Sequence, residues 1–449
     1  MKPQKCGSTA PRSRCITQND KSPDNVTDNE IAAAKAATST SWKLLLLLVA
    51  MNGIAPVSLY ILVPALPMLV KVFNTDVTSV QLNVSLFMVG LACSQLVTGP
   101  LSDKFGRRPV LLTGLVIMTA ATIACVFAQT LPQLIGARFF QAVGGGTGMV
   151  MARAVIRDLY PRERVGGMLS LVIGVMMIAQ LLSPLIGGLI ETSFGWRAIF
   201  YFMAATAIFA TVSIAVSLPE TRVIVAKTSD SGFLNDVRAL SSNPAFIGYV
   251  LCQMLASAII FTFAGGGPYI VVNQMARSTA EYGLWFATSG VAYMLGNFVS
   301  VRLSPKLGLD RTIWLGLALQ IFGSVVNLIW GFTGLNRQPE WLFGTHMIVM
   351  FGNAFAMSNA SAGAISIRPQ AAGTASGAMG FLQMGFGSLC SQLGAFLGGR
   401  FATPLPLNIA VLTISCTCAA AIYFLVPRTN RFISEDEMLD AEEQESGIL

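Results

Sequence analysis

The chain is poor in charge, and this scarcity fixes its broad class. Only 11% of its 449 residues are charged, whereas a soluble domain carries about 25%. Hydrophobic residues make up 53% of the chain, and its mean hydropathy is +0.64. This composition excludes an ordinary soluble domain and predicts an integral membrane protein.

Paired cysteine motifs, catalytic carboxylate pairs and metal-ligand clusters are also missing. The eight cysteines include no C-x-x-C pair, and most lie in apolar runs, where a thiol packs as a small hydrophobe. The glycines 144–146 are not followed by the Gly-Lys-Ser/Thr of a phosphate-binding loop. We therefore predict no enzyme, metal or cofactor, and no drive by ATP. The net charge of +7 is distributed by membrane side, so no nucleic-acid partner is expected either.

What the chain does have is a series of apolar runs of about 20 residues, the length needed to cross a bilayer as a helix. The runs lie at 43–66, 80–101, 109–128, 133–156, 166–190, 197–218, 245–271, 282–303, 312–334, 341–365, 371–398 and 405–426. They predict an all-α integral membrane protein with twelve transmembrane helices in two pseudo-symmetric six-helix bundles.

Polar segments divide the chain into five predicted parts. These are a disordered cytoplasmic tail (1–42), a first bundle (43–218), a cytoplasmic connector (219–244), a second bundle (245–427) and an acidic cytoplasmic tail (428–449). Twenty-three of the 29 lysines and arginines fall on the side that holds both tails. The positive-inside rule therefore predicts that both termini are cytoplasmic. We expect a monomer surrounded by membrane lipid.

The second half of the sequence echoes the first at an offset that rises slowly from 202 to 211 residues. Leu101 and Gly106 match Leu303 and Gly308, for example, and the pair Gly187-Gly188 matches 398–399. Parallel repeats of this kind are typical of transporters whose substrate site lies at the midplane between two halves.

A charge-dense segment lies between the second and third runs, with the pattern G-x-L-x-D-x-x-G-R-R. Charge is expensive beside hydrocarbon, so such a cluster indicates a function. We predict a tight turn and a gating latch formed by Gly99, Asp103, Gly106, Arg107 and Arg108. Arg153, Arg157 and Arg164 are further candidate partners for the carboxylate. The alternative is a plain basic loop that only sets orientation.

Arg138 is the one cation placed well inside a run, and His346 is its counterpart at an offset of 208. An arginine at that depth needs water or a partner, so we predict that Arg138 lines a central cavity. The alternative is a structural arginine that caps backbone carbonyls. His346 is a candidate coupling residue because histidine titrates near neutral pH, or it is structural.

Small residues and a proline predict close helix packing at Gly144, Gly148, Pro184, Gly187 and Gly188. Candidate contacts for a small-molecule substrate combine aromatic and amide side chains. They are Tyr60, Phe87, Phe139, Gln141, Gln180, Gln253, Phe261, Tyr293 and Gln383. For each of these, ordinary packing is the alternative.

Several segments resemble one known family. They are Val63-Pro64-Ala65-Leu66-Pro67, 103–109, Arg138-Phe139-Phe140, Arg157-Asp158-Leu159-Tyr160-Pro161, Pro184-Leu185-Ile186-Gly187-Gly188, Pro219-Glu220-Thr221-Arg222 and Ala372-Gly373-Thr374-Ala375-Ser376. The sequence is similar to the twelve-span drug:proton antiporters of the major facilitator superfamily, and within them to the bicyclomycin-resistance (Bcr/CflA) family. This resemblance implies secondary active export of small amphipathic drugs across the bacterial inner membrane in exchange for protons. The alternative on the same fold is an importer or facilitator of a nutrient, metabolite or siderophore.

One position departs from that family, which commonly carries an aspartate where this chain has Tyr60. None of the 22 acidic residues lies near the centre of a run. We therefore expect neutral or anionic substrates. Proton coupling, if it exists, would use Asp103, Glu191, Asp158 or His346; without it, the substrate gradient alone would drive transport.

Overall fold

The computed structural model describes residues 42–160, 162–218, 240–368 and 372–426. The first of the predicted tails, most of the connector and the acidic tail lie outside the described residues. So do the side chains of Asp103, Arg157 and Arg164. The division into two bundles is a prediction that the chain's compact unit, Lys43–Leu449, leaves open.

Long helices account for nearly all of the described chain. In the first half they are α1 (Trp42–Tyr60), α2 (Leu66–Val72), α3 (Val77–Phe105), α4 (Arg107–Val126), α5 (Leu131–Leu159), α6 (Arg162–Phe194) and α7 (Trp196–Ser217). In the second half they are α8 (Pro244–Tyr269), α9 (Thr279–Leu307), α10 (Leu309–Thr333), α11 (Pro339–Ser366), α12 (Ala372–Arg400) and α13 (Leu405–Leu425). A 3₁₀ turn (Val63–Ala65) precedes α2, a π turn (Ile270–Gln274) follows α8, and a second 3₁₀ turn (Leu335–Arg337) precedes α11.

Eleven helical stretches of the described chain are long and apolar enough to cross a membrane. This confirms an all-α membrane protein. The predicted run 371–398 corresponds to α12, a helix of 29 residues that is not among the eleven. Its eight glycines, together with glutamine and serine, lower its hydropathy. Exposed apolar side chains on outer helices, such as Phe209 on α7 and Phe332 on α10, are suited to face lipid.

Two equivalent helices, α3 and α9, begin with equivalent caps. The Asp76 carboxylate accepts a hydrogen bond from the backbone N–H of Ser79 at 3.0 Å, and the Ser278 hydroxyl accepts from that of Glu281 at 3.1 Å. These bonds satisfy amide donors that a helix start leaves without partners. The Ser79 hydroxyl and amide also hold the pKa of Asp76 below its usual value.

Both helices also end alike, each at a single glycine. Gly106 (φ 98°) separates α3 from α4, and Gly308 (φ 81°) separates α9 from α10. Positive φ favours glycine, which has no Cβ to clash. The predicted turn over 99–108 is thus wrong in extent: Gly99 lies inside α3, and the reversal takes place at Gly106 alone.

The two halves meet along two pairs of helices. We call the contact of α3 with α12 the first seam, and the contact of α6 with α9 the second seam. The hydrogen bonds across both seams, such as Gln81–Ser391 and Thr192–Thr279, lie towards the helix ends farthest from Gly106 and Gly308. We call that end of the molecule the outer end, and the end with the two glycine turns the inner end.

Candidate functional site: a chamber between the two halves

A cavity of about 340 Å³ lies between the halves and is lined by residues of α1, α3, α5, α6, α8, α9, α11 and α12. We call it the central chamber. A second cavity of about 460 Å³ shares seven of its lining residues and extends to Asn52, Ala152, Arg153 and Ile156. Because 152–156 lie in the last turns of α5, this vestibule leads towards the inner end.

Six predicted substrate contacts line these cavities. Tyr60, Gln180, Phe261, Tyr293 and Gln383 line the central chamber, and Gln253 lines the vestibule. The Tyr293 hydroxyl lies 3.4 Å from the Met357 sulfur, and the Gln253 amide donates to the Gln383 carbonyl oxygen at 3.4 Å. The walls therefore offer a few hydrogen-bonding groups in a largely apolar surface, as small-molecule sites do.

The most numerous lining residue, methionine, was missed from the sequence. Seven of the chain's 20 methionines line the central chamber. They are Met149, Met176, Met177, Met294, Met350, Met357 and Met384. Methionine is unbranched and polarizable, so such a wall adapts to differently shaped apolar molecules. The only sequence signal was the adjacent pair Met176-Met177, which reads equally well as helix packing.

Three predicted contacts, Phe87, Phe139 and Gln141, are absent from the lining of both cavities, and their contact with substrate stays a prediction. The Phe87 ring lies against the Arg138 guanidinium, 4.0 Å from its carbon to the ring centroid. Gln141 donates to the Thr122 hydroxyl at 2.8 Å, and Phe139 packs against Phe140. Phe87 and Gln141 therefore serve contacts among the helices of the first half, and Phe139 contacts its neighbour within α5.

Arg138 is also absent from the lining, which contradicts its predicted place. Its side chain is fully buried, and one terminal nitrogen donates to the Ser58 carbonyl at 3.0 Å and to the Gln141 amide oxygen at 2.7 Å. Nε and the other terminal nitrogen have no protein partner. The carbonyl-capping alternative describes this geometry: Arg138 ties α5 to α1 behind the chamber wall.

His346, by contrast, does line the central chamber. Its ring is 2% exposed and stacks on Phe263 with 3.6 Å between ring centroids. The two residues at an offset of 208 therefore occupy unlike places, since one faces the chamber and the other lies beneath its wall.

No aspartate or glutamate is present in the lining of either cavity, among the side chains that the structure describes. Arg153 in the vestibule is the one charged lining residue in that set, and its Nε donates to the Met149 carbonyl at 3.2 Å. A wall without a carboxylate has no fixed negative charge to pair with a cation.

At the inner end, an ion pair joins the first turn to the end of α5. Arg107 Nε lies 3.3 Å from Asp158 Oδ2, and Arg107 Nη1 donates to the Ser102 hydroxyl at 2.6 Å. Arg108 donates to the Ala215 carbonyl at 2.8 Å. At the second turn the Ser304 hydroxyl donates to Asn359, which in turn donates to Ser300. The predicted role of Asp103 stays a prediction.

At the outer end, the first seam is closed by neutral polar groups. The Gln81 amide donates to the Ser391 hydroxyl at 2.7 Å, and both side chains are fully buried. The Ser85 hydroxyl donates to the Gln392 carbonyl oxygen at 3.0 Å, and the Gln392 amide donates to the Thr78 carbonyl at 2.7 Å.

The second seam is closed by backbone contact. A Cβ built on Gly188 would lie 2.6 Å from the Thr279 carbonyl oxygen in the other half, whereas one on Gly187 would meet the Ile61 carbonyl oxygen of its own half. The Pro184 carbonyl lies against Gly283. Within the first half, Gly144 packs on Gly114. Gly148 packs on the Met51 carbonyl.

Comparison with known proteins agrees with this architecture. Residues 47–391 match the model of the Major Facilitator Superfamily. The chain is 28% identical to a chloramphenicol resistance protein of Pseudomonas aeruginosa (84% of this chain, 90% of that one). It is 30% identical to multidrug resistance protein D of Escherichia coli (78% and 87%).

Among solved structures, the chain is similar to a D-xylose-proton symporter, with a TM-score of 0.69, 15% identity, and 87% and 99% of the two chains covered. A bacterial Spinster homologue in an inward-facing conformation gives a TM-score of 0.65 at 16% identity (86% and 95% covered). At these identities the likeness concerns the fold. With its closed outer end, inner vestibule and family match, the chain belongs to the major facilitator superfamily of membrane transporters.

Proposed function

We propose that this transporter exports small, neutral, amphipathic molecules across the bacterial inner membrane by alternating access, in exchange for protons. The observation that carries the proposal is the chamber wall, in which thioether, aromatic and amide groups occur without a carboxylate among the side chains that the structure describes. The names of relatives in Pseudomonas aeruginosa and Escherichia coli support drug export.

The chamber volume supports a drug-sized substrate. About 340 Å³ falls in the usual range of small-molecule sites. Apolar parts of the substrate would lie against the methionines, with its polar groups near Tyr60, Gln180 and Gln383. The shared lining connects the vestibule to the central chamber, so a substrate can pass from one to the other.

Gating at the inner end belongs to the same proposal. Closure of that end would bring the Gly106 and Gly308 turns together, and the latch would use Asp103, Arg107 and Arg108. The Arg107–Asp158 ion pair supports this because it ties the turn to α5, whose last residues line the vestibule. The lysine and arginine bias supports an inner end that is cytoplasmic, as it does for both termini.

Flux into proteoliposomes tests the proposal. Chloramphenicol and ethidium serve as a neutral and a cationic probe, each with the pH gradient imposed in either direction. We expect transport of chloramphenicol that follows the gradient as antiport and little transport of ethidium. Gln180→Leu should lower chloramphenicol transport several-fold, whereas Gln129→Leu, a glutamine at the exposed start of α5, should leave it unchanged. Transport of ethidium alone, or movement of chloramphenicol with the protons, would contradict the proposal.

A further inference from the structure

Three oxygen atoms meet where the second seam closes at the outer end. The Glu191 carboxyl and the Thr192 hydroxyl, both on α6, each contact the Thr279 hydroxyl on α9. The Thr192 and Thr279 oxygens are 3.0 Å apart. Among the acidic side chains that the structure describes, Glu191 is the one with a hydrogen bond that reaches the other half of the chain. Asp158 and Glu281 pair within their own halves.

A count of hydrogens shows what this arrangement requires. A threonine hydroxyl has one hydrogen to donate. Thr192 donates its hydrogen to the Gly188 carbonyl, an acceptor, at 2.7 Å. Thr279 then has one hydrogen for two contacts, one with the Thr192 hydroxyl and one with Glu191, to which it donates here. Both contacts can be hydrogen bonds at the same time only if the carboxyl supplies a hydrogen itself.

Ionised Glu191 leaves the group one hydrogen short. Thr279 can turn its hydrogen to the carboxylate, but the two threonine oxygens then face each other at 3.0 Å with no hydrogen between them. A protonated carboxyl completes all three contacts. Because Glu191 and Thr279 are on opposite sides of the seam, the protonation state of Glu191 affects how closely α6 and α9 approach each other.

We infer that Glu191 is a proton-binding site that controls closure of the outer end. A proton from the outer solution binds Glu191 as α6 and α9 meet, and it is released when they part. Acid on the outer side therefore favours the closed outer end and speeds the return of an empty exporter. The role in the return step rests on the proposed function, whereas the proton-dependent closure does not.

Few other charges share this end of the seam. The start of α9 carries Arg277 and Glu281, which pair with each other at 3.8 Å. Arg197 on α7 lies over the Trp196 ring, 4.3 Å from its centroid, and Lys71 is on α2. The 3₁₀ turn Val63–Ala65, which also packs on α6, contributes no titratable group. Glu281 is thus a matched control: a carboxylate two residues from Thr279 that bonds only within its own half.

The test measures the distance between spin labels at the exposed positions Ser193 and Asn273, one in each half, in the full-length protein with its native cysteines replaced. In nanodiscs at pH 8 and pH 5.5, we expect the closed population to grow on acidification, by up to about tenfold in the closed-to-open ratio per pH unit for one proton. Glu191→Gln, whose amide donates a hydrogen at any pH, should stay closed at both values. Glu281→Gln should respond as the parent does.

Thr192→Val tests the hydrogen count itself. Without the Thr192 hydroxyl, Thr279 can donate to an ionised Glu191 and no contact lacks a hydrogen. The closed population should therefore depend less on pH. An unchanged pH response in Glu191→Gln would overturn the proton site. An unchanged response in Thr192→Val would overturn the count on which it rests.

Failure of the proposed function looks different from failure of this inference. If chloramphenicol is not transported while the labels still close with acid, the substrate proposal fails and Glu191 stands. If chloramphenicol is transported but the label distances do not depend on pH, the Glu191 inference fails and the substrate proposal stands.

Discussion

The two seams that join the halves differ in chemistry although related helices build them. The first seam uses buried amides and hydroxyls such as Gln81 and Ser391, which keep their hydrogens at any physiological pH. The second seam uses contacts between glycines and backbone, together with the carboxyl group of Glu191. Unlike an amide or a hydroxyl, a carboxyl group can lose its hydrogen. One gate can therefore hold both a constant contact and a contact that responds to protons.

The largest effect should come from a single methyl group added to the second seam. In Gly188→Ala the new Cβ meets the Thr279 carbonyl oxygen at 2.6 Å. A backbone atom cannot move away by a side-chain rotation. Overpacking of this kind costs about 1–3 kcal/mol, so we expect transport to fall roughly ten- to a hundredfold. Chloramphenicol flux in proteoliposomes measures the loss.

Gly399→Ala in the first seam is the matched comparison, because 188 and 399 are equivalent in the repeat. Its Cβ meets the Val77 methyl carbons at 2.7 Å and the Val77 Cβ at 2.9 Å, so the start of α3 must shift slightly, but the nearest atoms are all side-chain atoms. We expect a smaller loss than in Gly188→Ala. An equal loss in both variants would mean that the seams do not differ in rigidity.

A smaller effect should follow removal of an amide from the first seam. Gln81→Leu leaves the buried Ser391 hydroxyl without its donor, at a cost of about 1–3 kcal/mol. We expect the closed outer end to lose population by about tenfold, to the same extent at pH 5.5 and pH 8. Spin-label distances across the first seam would show this, and a loss that grew at one pH would contradict the neutral character of that seam.

These differences mark the limit of what the sequence predicts. Apolar runs locate the helices, and Gly187-Gly188 indicates a close approach, because both signals are local. The place of Arg138 depends on how α5 is rotated about its axis, and hydropathy does not record that rotation. Glu191 looks like an ordinary acid at the end of a run, since its partner Thr279 lies 88 residues further on.

The methionines were missed for a related reason. Methionine counts as a generic hydrophobe in any single helix, so Met294 and Met384 are unremarkable in α9 and α12. Only the arrangement of several helices around one space brings seven of them into a common wall.

The smallest effect is expected at the cap of α3, where the first seam begins. Asp76→Ala removes the bonds to Ser79 and should destabilise the protein by about 1 kcal/mol at neutral pH. The lowered pKa of Asp76 means that its stabilisation is present above the pKa of the unfolded chain. It is lost only as the pH falls through the still lower pKa of the folded state.

Thermal unfolding in detergent at several pH values checks this, with Ser278→Ala at the start of α9 as the uncharged counterpart. The two variants should lose similar stability at pH 7, and only the Asp76 variant should converge with the parent in strong acid. If both variants converge with the parent in strong acid, the charge of Asp76 is not the cause of the pH dependence.

The single glycine between α3 and α4 has a mechanical consequence. With one residue as the connection, the inner ends of the two helices cannot separate and must move together. Helix α3 is about 43 Å long at 1.5 Å per residue. It carries the seam residue Gln81 near one end and Ser102, the partner of Arg107, near the other, so a single rigid helix links both contacts. A displacement of the inner end of α3 therefore also moves its outer end, without any signal having to pass from residue to residue.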